Sequence, residues 1–215
     1  MQAQGLRMKF YNLIGLNVSA IILMVWVASV ATPNKFLIWN LFLALIPLNL
    51  SYLFVFLKQK QTPVLLLGVI GLIWLFFYPN TIYMITDYLH LVATGVDLVA
   101  GVQVINYVLL SAGIFLGVLF GLERAYQMQQ AMLRNAPKLL SIGYYGGLAV
   151  LTSFGIYLGR YLRLNSWHIF TEPVRVLRAV EYSVMNDVHF TVMFMIWFTA
   201  LQLILFAVYY CLKRG

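Results

Sequence analysis

Six apolar runs, at 10–31, 36–57, 64–85, 99–122, 139–158 and 188–212, divide this chain, and none contains Asp, Glu, Lys or Arg. A helix needs about 20 apolar residues to cross the hydrocarbon of a bilayer. Backbone amides there must be satisfied within the segment itself. The pattern therefore predicts an all-α polytopic membrane bundle of six transmembrane helices, read as a single integral membrane domain over 1–215. Thr32-Pro33-Asn34-Lys35 predicts a tight turn between the first two spans. Lys58-Gln59-Lys60-Gln61-Thr62-Pro63 predicts another, with Pro63 placed to open the third helix.

The third span is the least regular. Its run to Tyr78 is too short for the hydrocarbon, and Pro79-Asn80 then interrupts it. Either the helix kinks and continues to about residue 85, or it ends and a short interfacial helix begins. Pro47 is expected to kink the second span, with Asn49 satisfying the freed carbonyl. Segment 171–185 has a different period. Val174, Leu177, Val180 and Val184 form an apolar stripe, while Glu172, Arg175, Arg178 and Glu181 line another face. With Thr171 as N-cap and Pro173 in the first turn, it reads as an outer interfacial amphipathic helix or a lid on the bundle.

Composition sharpens this picture. Of 215 residues, 63% are hydrophobic and 9% charged. A soluble domain is nearer half apolar. The net charge of +8 would suggest nucleic acid in a soluble protein. Here the cations flank apolar runs, so the expected partners are membrane lipids and not nucleic acid. Arg7 and Lys9 before an apolar run ending Ser29-Val30-Ala31 imitate a signal peptide, but the run exceeds the usual ~7–15-residue core, so it reads as a retained span. Nine of the 14 Lys and Arg fall on the side of the termini (Arg7, Lys9, Lys58, Lys60, Arg124, Arg134, Lys138, Lys213, Arg214) and five on the other. Both termini are therefore expected in the cytoplasm. The single Cys211 forms no internal disulfide.

Glycines at four-residue spacing, Gly113-Gly117-Gly121, Gly143-Gly147 and Gly155-Gly159, predict close helix packing within the bundle or, alternatively, a homodimer face. Asn12, Asn17, Asn40, Asn106 and Gln202 are expected as hydrogen-bond partners between helices.

The chemistry-bearing residues collect in the outer connections. Tyr83, Asp87 and His90 share one face of a helix. An Asp–His pair orients a general base, shares a metal, or anchors an irregular helix end. Asp87 and His90 are the candidate catalytic residues. Arg160 and Arg163, with Asn165 and Trp167, are the candidate anion site: two guanidiniums on one face suit phosphate or carboxylate, or else anchor the helix at the interface. Asp187 is a candidate N-cap for the last span. His189 with Asp87 and His90 makes a candidate divalent-metal set, such as for zinc, with His168 a fourth member. That set rests on expected convergence, since no HExxH-like spacing is present. There is no Walker loop, no dinucleotide fingerprint and no GxSxG elbow. Charge-free span centres speak against ion-coupled transport. Three readings stay open: binding of an anionic lipid headgroup or envelope precursor, metal-dependent hydrolysis of a lipid-linked substrate, and service as an accessory subunit of a membrane enzyme.

The motifs Pro79-Asn80…Tyr83…Thr86-Asp87…His90 and Gly159-Arg160…Arg163…Asn165-Ser166-Trp167 resemble the domain-of-unknown-function family 1361, from about residue 39 onward. The resemblance implies a bacterial multipass plasma-membrane protein and supplies no reaction. Family members often carry an acidic residue after Asn-Ser-Trp, where this chain has His168, which weakens His168 as a required ligand.

The charge asymmetry sets a test. In cells expressing a Cys211→Ser background, a cysteine at position 33 should react with an impermeant maleimide. One at position 61 should react only after permeabilisation. The reverse pattern would place the termini outside.

Overall fold

The computed structural model describes residues 2–95, 98–186 and 188–214. Among the described residues every regular element is helical: α1 Gln2–Ser29, α2 Phe36–Gln59, α3 Val64–Phe77, α4 Pro79–Tyr83, a 3₁₀ segment Met84–His90, α5 Leu91–Thr94, α6 Gly101–Leu133, α7 Lys138–Tyr161, α8 His168–Thr171, α9 Pro173–Asn186 and α10 Val188–Arg214. Six stretches are long and apolar enough to cross a membrane: Phe10–Ser29, Phe36–Gln59, Val64–His90, Gly101–Leu133, Lys138–Tyr161 and Val188–Lys213. They match the six expected spans in order. The chain divides into two compact units, Met1–Arg124 and Ala125–Gly215.

In the first unit α1 and α2 form a hairpin. Leu13, Ala20, Leu23 and Val27 recur at three- to seven-residue steps on α1, and Leu37, Leu41, Ala44 and Leu48 do so on α2; all are buried in one core. Between them Asn17 and Asn49 exchange amide hydrogen bonds, at 3.3 and 3.1 Å. The hairpin turn is closed by its own polar groups. Lys35 Nζ donates to the carbonyls of Val27, Ala28 and Val30 at 2.7–2.8 Å, which are left open at the end of α1. Thr32 Oγ1 accepts from the Asn34 amide and donates to Asn106 Oδ1 on α6 at 2.7 Å. Asn49 does not serve the carbonyl that Pro47 leaves free four residues earlier; its Nδ2 donates to Leu45 O at 2.8 Å.

The third span is interrupted at Tyr78 and continues to His90. Pro79 has no N–H, so α3 ends at Phe77 and the chain restarts with Pro79 in the first turn of α4. It then tightens into the 3₁₀ segment. Side chains back-bond three residues earlier along the way: Asn80 Nδ2 to Phe77 O, Thr81 Oγ1 to Tyr78 O, Thr86 Oγ1 to Tyr83 O, at 2.7–2.9 Å. These bonds give the side-chain donors partners within the span; none of them reaches the Leu75 carbonyl, four residues before Pro79.

The glycines of α6 receive these elements. A Cβ on Gly113 would lie 2.6 Å from a Leu37 methyl, and one on Gly121 2.6 Å from Thr81 Oγ1. At Gly117 it would meet Met84 Sδ at 2.5 Å and the Thr81 carbonyl at 2.9 Å. The packing expectation holds for this ridge.

In the second unit α7 and α10 pair antiparallel through aromatic rings. Tyr145 meets Phe206 at 5.1 Å, Tyr157 meets Phe194 at 5.9 Å and Tyr161 meets Phe190 at 4.9 Å. A buried polar knot lies between the rungs. Gln202 Nε2 donates to Ser153 Oγ at 2.8 Å, and Thr199 Oγ1 donates to the same oxygen at 3.1 Å. Gly143 and Gly147 lie on α7, yet a Cβ on either meets nothing within 4 Å. The expected packing inside the bundle does not occur there among the described residues.

Two glycine-to-alanine variants separate these cases. Gly117→Ala forces a backbone carbonyl aside and should cost about 1–3 kcal/mol. Gly143→Ala has open space and should gain about 0.5–1 kcal/mol of helix propensity. Denaturation of the two purified variants in mixed micelles measures both; equal midpoints would contradict the difference in packing.

Candidate functional site

In the third span the tight winding decides which side chains meet. In a 3₁₀ helix residues three apart eclipse one another. Asp87 and His90 therefore keep a common face, as expected from the sequence. Tyr83 leaves it, because four residues no longer close a turn. Across from that face, α2 presents Asn40 and Phe36, four residues apart. Asn40 Nδ2 donates to Asp87 Oδ2 at 2.7 Å. The Phe36 ring lies against the His90 ring, centroids 4.1 Å apart. Asp87 is 1% exposed, so its carboxylate is an internal group, and His90 is half-buried.

The arginine segment is arranged differently from its sequence spacing. Helix α7 ends at Tyr161, and Arg160 sits half-buried in its last turn. Arg163 stands beyond the helix in the left-handed region, at φ 52°. The two arginines therefore do not share a helical face. The Leu158 carbonyl accepts both the Leu162 and Leu164 amides, each at 3.2 Å, and this reversal lets Leu164 be buried. A left-handed residue after a helix end is usually glycine. Here it is an exposed arginine.

The next turn is locked by reciprocal bonds. The Asn165 amide donates to His168 Nδ1 at 3.0 Å, and the His168 amide donates to Asn165 O at 2.9 Å. With Nδ1 accepting, Nε2 is left as the ring's donor, 3.7 Å from Glu172 Oε1. His168 is buried and acts as a turn lock. The Asn165 side chain is exposed and Trp167 is half-buried, its ring edge-on to His168.

His189 is exposed in the first turn of α10. Among the described residues no three His, Cys, Asp or Glu side chains gather as a metal-binding group. Asp97, Asp187 and the Val184 side chain lie outside the described residues.

Asn17, Asn40, Asn106 and Gln202 each bond between elements, as expected; Asn12 is exposed and makes no such bond among the described residues. Arg124 departs from expectation. Read from the sequence as a loop cation, it lies within the long α6 and is the largest fully buried side chain, with the half-buried Glu123 beside it. The run 99–122 ends just before these charges, so composition put the helix end there. Helix-forming residues carry the helix on to Leu133.

Six apolar spans define a multipass helical membrane protein. More narrowly, the chain belongs to the family described as protein of unknown function (DUF1361), whose model matches residues 39–205. No curated protein and no solved structure matches it.

The Asp87 contact can be tested against Asn12 as an internal control. Asn40→Leu removes a donor to a buried carboxylate and should cost about 1.5–3 kcal/mol. Asn12→Leu should be near neutral. Equal losses in denaturation midpoint would show that the Asn40–Asp87 bond contributes nothing of its own.

Proposed function

We propose that this protein resides in the bacterial plasma membrane with both termini cytoplasmic, and that its outer segment 160–167 binds an anionic group, a lipid headgroup or an envelope precursor. Arg163 carries the reading. Its guanidinium is exposed and held on a short, internally bonded turn. The left-handed backbone there costs an L-residue about 1–2 kcal/mol that glycine would not incur. Strain retained under a charged, exposed side chain is typical of a ligand contact. Arg160, one turn earlier, supplies the second guanidinium, and Asn165 and Trp167 supply an amide and an interfacial ring. Lipid-facing spans make the membrane itself the source of such ligands.

The strain gives a discriminating test. Arg163→Gly should leave the protein equally or more heat-stable, because it relaxes the turn. It should also lower the anionic lipid retained through purification by about five- to tenfold, the equivalent of one guanidinium–phosphate contact of roughly 1–1.4 kcal/mol. Lipid extraction and mass spectrometry of wild type, Arg160→Gln and Arg163→Gly give the readout. Unchanged retention in both variants would end the reading.

A further inference from the structure

We propose that α9 lies in the plane of the membrane surface, at the boundary between headgroups and acyl chains, held by lipid contact with an apolar edge and not by its charges. The helix has 14 residues, about 21 Å, and so cannot cross a hydrocarbon layer of about 30 Å. It ends at Asn186, and the spanning helix α10 begins at Val188. One end of α9 is thus fixed where hydrocarbon starts.

Its apolar face is one continuous arc. Val176 and Val180 are half-buried and form the side turned to protein. Leu177 and Val174 follow them around the helix as an exposed rim, 69% and 58% exposed, beyond which Glu181 and Arg178 begin the charged face. Covering the protein accounts for the half-buried side and leaves the exposed rim without a function in water. Phe170 on α8, also exposed, precedes that rim. Exposed Val188, Val192 and Ile196 continue apolar surface down α10, the face that a membrane would cover. The occupant that fits both is lipid.

Charge does not hold the helix there. Glu172 pairs with Arg175 at 3.0 Å, and Glu181 balances Arg178, so segment 172–186 is formally neutral. Anionic leaflets attract net positive segments. Seating by burial alone should therefore be indifferent to lipid charge. This is independent of the anion reading, which requires charge.

Full-length protein with Cys211→Ser, carrying a spin label at either Leu177→Cys or Tyr182→Cys, is reconstituted in vesicles of phosphatidylcholine, or of equal parts phosphatidylcholine and phosphatidylglycerol. Tyr182 shares the arginine flank and is exposed. Power saturation with oxygen and a water-soluble nickel chelate reports depth. Label at 177 should favour oxygen and label at 182 the nickel chelate, with the same contrast in both vesicles. Val174→Cys should repeat the result at 177 and guards against a local disturbance. Equal nickel access at 174, 177 and 182 would overturn the proposal. So would an immobilised label at 177 that neither reagent reaches, which would mean a protein partner. A contrast seen only with phosphatidylglycerol would overturn the claim that burial holds the helix.

Discussion

In hydrocarbon no solvent closes an open backbone group or partners a buried donor, and many of this chain's internal polar side chains meet that requirement within the protein. Lys35 closes three carbonyls at the end of α1, and Asn80, Thr81 and Thr86 find acceptors three residues earlier around the Pro79 break. Tyr78 donates its hydroxyl to Gly121 O, and Tyr144 donates to Ala125 O. Gln202 reaches Ala149 O besides Ser153. A buried group left open costs about 1–3 kcal/mol, and more in a non-polar medium. That cost explains why a lysine is tolerated on the side with fewer cations: its ammonium is a helix cap before it is a topology signal.

The same constraint explains what was legible in the sequence. Span number and order follow from the length and charge-freedom of the runs, since only continuous helices satisfy the backbone there. The asparagines stood out because an amide in an apolar run needs a partner. Less could be read where geometry depends on winding. Nothing in Tyr83…Asp87…His90 announces a 3₁₀ segment, so Tyr83 was assigned to a face it does not share. The end of α7 is similar: Arg160 and Arg163 have helical spacing, but the chain leaves the helix at Leu162 to bury Leu164. Arg124 falls outside the span that the sequence pattern predicts because charge marks a span end there, whereas α6 runs beyond the apolar stretch.

Packing chemistry differs between the two units, and each follows from its residues. In the first, glycines on α6 let Leu37, Thr81 and Met84 approach the helix axis, so backbone-to-backbone proximity replaces side-chain volume. In the second, α7 and α10 meet through bulky rings, with Gln202 and Ser153 fully buried among them. Small residues suit an irregular segment, because a kinked chain can be followed closely only by a partner with no side chain in the way. Rings suit α7 and α10, each of which runs as one unbroken helix.

The location of the strained and exposed groups is then informative. Gln61, Leu98 and Arg163 are the non-glycine residues with positive φ among those described, and all lie outside the long helices. Gln61 lies in the turn after α2, where Gln61 N bonds Lys58 O and Thr62 N bonds Leu57 O, and an exposed polar side chain there meets no demand beyond solubility. Arg163 has a similar backbone but a stiffer setting: the next residue is buried, and the turn after it is bonded in both directions. A glycine would meet every one of those structural needs at lower cost. The turn alone does not explain the arginine, and the proposed anion contact is built on that difference from Gln61.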